Sequence, residues 1–112
     1  MGTPWRLSGP SYLGTSPANL VTPIQNIYQV VTLIHLCNTD TVAHWATIYI
    51  GTAGGSPGMQ ITNQLVIPPN GIYQIPLYAE MSYTNSDNLV ALSDVANKVV
   101  LTVMGDKNVY PA

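Results

Sequence analysis

From Ile27 onward, short apolar runs alternate with clusters of turn formers at the spacing of a sandwich or barrel. The first run, Ile27 to Cys37, is rich in Val, Ile, Leu and Thr and stops at Asn38-Thr39-Asp40-Thr41. Val42 to Ile50 reads as a return strand, followed by a glycine-rich loop at 51–58. Gln60 to Ile67 ends at Pro68-Pro69-Asn70-Gly71. Ile72 to Tyr78 follows, where Pro76 points to an edge or a bulge because proline donates nothing to a ladder. A polar connection from Ser82 to Asn88 leads to a short strand, Leu89 to Leu92. Ser93 to Asn97 then turns the chain into a last strand, Lys98 to Met104. No segment carries a helical stripe over three turns. With one strand in the N-terminal stretch and one near Met81, the pattern predicts an all-β fold. It is a single small β-sandwich of seven or eight strands, Ig-like or jelly-roll in type.

Residues 1–25 read differently from 26–112. Pro4, Gly9, Pro10, Gly14, Pro17 and Pro23 interrupt continuous pairing, yet Trp5, Tyr12 and Leu13 are too apolar for a solvated tail. The expectation is an extended N-terminal arm that docks on another surface, beside a sandwich domain over 26–112.

A tight turn at 38–41 would pair Cys37 with Val42 and His35 with His44. Alternation then places Val31, Leu33, His35, Cys37, Val42, His44, Ala46, Ile48 and Ile50 on one face, taken as the interior. The other face carries Tyr28, Trp45 and Tyr49 and is also apolar. A lone antiparallel sandwich leaves one face wet, so this second face is expected to be covered by the arm or by a neighbouring subunit.

Charge sharpens that expectation. Of 112 residues, 46% are apolar and only 7% are charged, against roughly 25% in an ordinary soluble domain. A chain that packs against other subunits can dispense with charge, because desolvating it at an interface is costly. The net charge of −2 offers no basic footprint for nucleic acid. No apolar run reaches the roughly 18 residues of a membrane span, and Met1 to Pro10 has no leader-like stretch. Cys37 is the one cysteine, so no intrachain disulfide forms.

Candidate chemistry is thin. The 51–58 loop lacks the Lys-Ser or Lys-Thr of a phosphate cradle. His35 and His44 give two ligands where zinc takes at least three from protein, so only several chains meeting at a symmetry axis would complete a site. Asn85, Asp87 and Asn88 lack calcium-loop spacing. Cys37 beside His35 has no surrounding nucleophile motif, and Glu80 with Asp87 is one of many acid pairings. The seven Tyr and two Trp suit either sugar stacking or oligomer contacts. The expectation is no enzyme, no metal and no cofactor.

Several motifs recur in one order. Ile34-His35-Leu36-Cys37-Asn38-Thr39 runs a strand into a turn; Thr47-Ile48-Tyr49-Ile50-Gly51 ends a strand in a glycine loop. Ile67-Pro68-Pro69-Asn70-Gly71 follows, and the stretch from Val95-Ala96-Asn97 to Val103-Met104-Gly105 closes the series. After a Pro/Gly-rich start, this order resembles small virion β-proteins of tailed bacteriophages, over about residues 15 to 110. The two histidines and the doubled proline depart from the pattern. The resemblance implies a non-enzymatic capsid decoration or minor capsid protein that forms a homo-oligomer, a trimer by expectation. It would stabilise the shell by binding the major capsid protein, in a virion assembled in the bacterial cytoplasm. The alternative it implies is a tail or tail-fibre-associated protein with a receptor- or carbohydrate-binding role. The residues expected at contacts are Trp5, Tyr12, Leu13, Tyr28, Trp45 and Tyr49.

Overall fold

A computed structural model describes residues 3–51, 57–81, 83 and 86–109. Every described regular element is a strand: β1 (Thr3–Tyr12), β2 (Ala18–Val21), β3 (Ile27–Asn38), β4 (His44–Gly51), β5 (Pro57–Ile67), β6 (Ile72–Met81), β7 (Asn88–Ser93) and β8 (Val99–Val109). They form two four-stranded antiparallel sheets, ordered β1-β8-β3-β6 and β2-β7-β4-β5.

That order has a simple origin. β1 pairs with β8, β2 with β7, β3 with β6 and β4 with β5. The pairs nest, as in one long hairpin bent at its middle. Rolling that hairpin brings β3 against β8 and β4 against β7 as well. The result is a jelly roll, and the Ig-like alternative, with its strands divided otherwise, is set aside.

The core lies between the sheets. Ile34, Leu36, Leu101 and Val103 from one sheet meet Ala46, Ile48, Ile50, Ile67, Leu89 and Ala91 from the other. Gly105 sits opposite both Trp5 and Val31, where a Cβ would run into the Val30 carbonyl and Leu7. Only glycine fits there.

Three expectations need correction. The first 25 residues are not a separate arm: β1 and β2 extend both sheets, and Leu13 and Val21 are 1% and 3% exposed in the core. The prolines of β1 are tolerated because this edge strand pairs on one side only. Second, β3 and β4 do not form a hairpin. Residues 39–43 carry the chain from one sheet to the other, so His35 and His44 lie in different sheets.

Third, the interior face of β3 is mostly reversed. The register shifts between Val31 and Leu33 against both neighbours, and such an irregularity exchanges the faces beyond it. Val31 stays inside, then Ile34 and Leu36 take over, both fully buried, while Leu33, His35 and Cys37 are half-buried. Val42 is exposed. For β4 the assignment holds: Ala46, Ile48 and Ile50 face the core and His44 is buried at its start.

Candidate functional site

Antiparallel order places four connections at one end of the roll: 13–17, 39–43, 68–71 and 94–98. Each is tied to another. Leu13 N–H donates to Val99 O and Asn97 N–H to Leu13 O, at 2.8 and 3.2 Å. Thr39 N–H donates to Lys98 O and Asn70 N–H to Asp40 O, at 2.9 and 3.0 Å.

Asn38 is the knot. Its side chain is fully buried, and its Nδ2 donates to Val42 O, Ile67 O and Pro68 O at 2.9, 3.1 and 3.3 Å. Its Oδ1 accepts from Asp40 N–H at 3.0 Å. An amide, holding donors and an acceptor in one plane, is the side chain that can serve all of these at once.

His44 locks the same end. Its Nε2 lies 2.8 Å from Asp40 Oδ2 and its Nδ1 2.9 Å from Asp94 Oδ2. Ionised carboxylates only accept, so in the protonated form of the ring both nitrogens donate, one to each carboxylate. The Asp40 bond, then the Asp94 bond, raise the His44 pKa above its ordinary value against the opposing pull of burial. His44 and the Thr41 N–H hold the Asp40 carboxyl below its ordinary range. For Asp94, burial is the largest single influence and pushes upward. Hydrogen bonds from His44, Trp45 N–H and Ser93 Oγ–H together outweigh it, and the net shift is downward. With both nitrogens occupied, the ring ties Asp40 and Asp94 together as a clamp.

The outer face of the β1-β8-β3-β6 sheet is the second feature. Ile72, Cys37, Val100 and Tyr12 form one cross-strand row spanning all four strands. Ile72 and Tyr12 are 61% and 56% exposed. Two residues along, Gln74, His35 and Thr102 form a polar row, with Gln74 Nε2 and His35 Nδ1 3.2 Å apart. Pro76, Leu33 and Met104 form a third row, apolar again, with Arg6 at its β1 end. Beyond the bulge the face changes character. Glu80 and Asp106 flank Val30, and the Tyr28 and Tyr78 hydroxyls meet at 3.2 Å. That bond, with burial and the Glu80 charge, pushes the Tyr28 pKa well up.

The residues expected at contacts therefore scatter. Tyr12 and Tyr28 lie on the outer face of one sheet, and Trp45 and Tyr49 on the outer face of the other. Tyr49 is 7% exposed, hence covered within the protomer, and Leu13 belongs to the core. Trp5 pairs with Gly105 in β1; its side chain lies outside the described residues, as do residues 52–56 of the glycine loop and Asn85 of the oxygen-ligand candidates. Asn88 turns its amide to Ser86 O at 2.9 Å. Sequence reading missed Asp40 and Asp94 as partners of His44. The Asp40–His44 spacing was visible, but Asp94 is 50 residues from the ring it binds.

No family model and no curated protein matches this chain. Among solved structures, that of infectious bursal disease virus, Gx strain, is similar to it with a TM-score of 0.44 and 7% identity. The similarity covers 96% of this chain and 30% of that one.

Proposed function

We propose that this chain is a non-enzymatic structural subunit of a virus particle, a capsid decoration or minor capsid protein of a tailed bacteriophage. The observation that carries the reading is an exterior poor in charge and rich in apolar groups on a jelly roll. No Asp, Glu, Lys or Arg occurs between Asp40 and Glu80, a stretch that supplies β4, β5 and β6 up to Ala79. Tyr78, Ile72 and Val66 are each 60% or more exposed. Such a surface favours burial against neighbouring subunits over life as a free monomer. The fold adds an analogy: jelly rolls build viral capsid domains and also lectins. The subunit would form a homo-oligomer and bind the major capsid protein, and repetition over a shell multiplies weak contacts.

The test is an antibody against this chain, imaged on purified particles, with mass spectrometry of the same particles. Labelled heads are expected. Absence from particles overturns the reading.

A second reading, a tail-associated protein that binds carbohydrate, is favoured by the Tyr28–Tyr78 pair beside Glu80. Exposed rings next to a carboxylate can stack on and hydrogen-bond a sugar. Tail labelling with glycan-array binding, lost in Tyr78→Ala, would select it.

A further inference from the structure

We infer that the outer face of the β1-β8-β3-β6 sheet, from the Ile72–Cys37–Val100–Tyr12 row to the Pro76–Leu33–Met104 row, packs against the same face of a second copy. The inference rests on the structural-subunit reading and names the surface through which that subunit would self-associate.

Parity is the starting point. Ile34, Leu36, Leu101 and Val103 fill the core, so the residues alternating with them, Leu33, His35, Cys37, Val100, Thr102 and Met104, must lie outside. An exterior sheet face facing only water would carry polar side chains there. Four of these six are apolar, and the chain nonetheless folds them outward.

Charge decides the occupant. An isologous contact sets a patch against its own copy, residue i on j and j on i, so a patch of one sign meets that same sign. These three rows hold no Asp, Glu or Lys, and their one Arg, Arg6, lies at the margin. Their order, apolar, polar, apolar, reads the same in both directions along the strands. A second copy turned over about the middle row therefore sets apolar on apolar and Gln74-His35-Thr102 on its own kind. Amide and hydroxyl hydrogen bonds, such as Gln74 and Thr102 can make, avoid the desolvation cost of buried ions. Strand spacing of about 4.8 Å makes the four strands about 14 Å across, centre to centre. A specific contact needs about 800 Å² per partner, roughly an eighth of the 6059 Å² this protomer exposes. The three rows can supply the centre of such a contact, with β6 and β1 as its rim.

Cys37 lies in the first row and is the chain's one thiol, so it reports on this face without mutation. Thiol alkylation of the full chain is measured across a dilution series, in parallel with sedimentation. Cys37 labelling is expected to slow by about tenfold or more as the protein passes from monomer to oligomer. Ile72→Glu and Met104→Glu are expected to weaken association by at least about tenfold. Val66→Glu, on the outer face of the other sheet and 60% exposed, should leave it unchanged. Melting curves on the dilute proteins confirm that each variant is folded. A wild-type chain that stays monomeric throughout overturns the inference and the self-association in the reading beneath it. Association with unchanged Cys37 labelling, or association lost in Val66→Glu alone, overturns this face and leaves the subunit reading standing.

Discussion

His44 and Asp94 meet across 50 residues of chain, with Nδ1 2.9 Å from Oδ2, and the bond joins the start of β4 to the β7–β8 turn. Asp40, at 2.8 Å on the other side of the ring, belongs to the connection that carries the chain between sheets. A single imidazole ring thus fastens two of the four connections at the locked end.

The clamp makes stability depend on pH in two places. His44 has its pKa raised above 6.5. Its contribution is complete below 6.5 and disappears as pH rises through the elevated folded value. Asp40 and Asp94 have pKa values lowered from 3.8. Their contribution is complete above 3.8 and disappears as pH falls through the lowered values. Thermal midpoints are expected to be flat between these limits and to decline beyond each. His44→Gln should remove the alkaline decline while leaving the acid one reduced but visible. An alkaline limb unchanged in that variant would show that the ring is not the titrating group.

Asn38→Ala is expected to cost about 2–4 kcal/mol, because it strands the buried Ile67 carbonyl, the part-buried carbonyls of Val42 and Pro68, and the Asp40 N–H. Thr39→Ala, which removes an exposed hydroxyl bond to Lys98 O at 2.7 Å, should cost well under half as much. Urea midpoints of the two variants compare them directly. Equal losses would mean that the amide is not the knot.

How far the sequence speaks can be read from the same residues. The strands were legible, since alternation and turn formers act within a few residues; Pro76 was correctly read as a mark of an edge or bulge, and β6 is an edge strand with a register shift beside it. Partners were not legible. A turn at 38–41 looks alike whether the chain folds back or crosses to the other sheet, and here Asn38 bonds to residues 29 and 30 positions away. The shift after Val31 reversed every later side chain of β3, which no local pattern announces. Asp40 and Asp94 each read as ordinary turn residues until the fold brought His44 between them.

The N-terminal segment is expected to be part of the folding unit. Deleting residues 1–13 removes the β1 partner of β8 and takes Leu13 out of the core. Leu13→Ala alone should cost about 2–5 kcal/mol, a large share of the roughly 5–15 kcal/mol that stabilises a domain. The deletion should therefore abolish cooperative melting. A truncated chain that melts like the full one would restore the docking-arm description.

The two faces of β3 and β4 are separable by truncation. Leu36 and Ile48 are fully buried, and Leu36→Ala and Ile48→Ala should each cost about 2–5 kcal/mol by leaving a cavity that the sheets cannot close. His35 is half-buried on the outer face, with a bond to Gln74, and Trp45 is half-buried opposite exposed Val66. His35→Ala and Trp45→Ala remove side chains that already touch water, so each should cost less than its buried neighbour. The comparison within each strand controls for backbone propensity, because neighbours share the same ladder. Dilute samples are needed, since at high concentration His35→Ala would also report on any contact made by its face. If His35→Ala proves more damaging than Leu36→Ala in monomeric protein, β3 keeps the face first expected of it, and the register shift at Val31–Leu33 is misplaced.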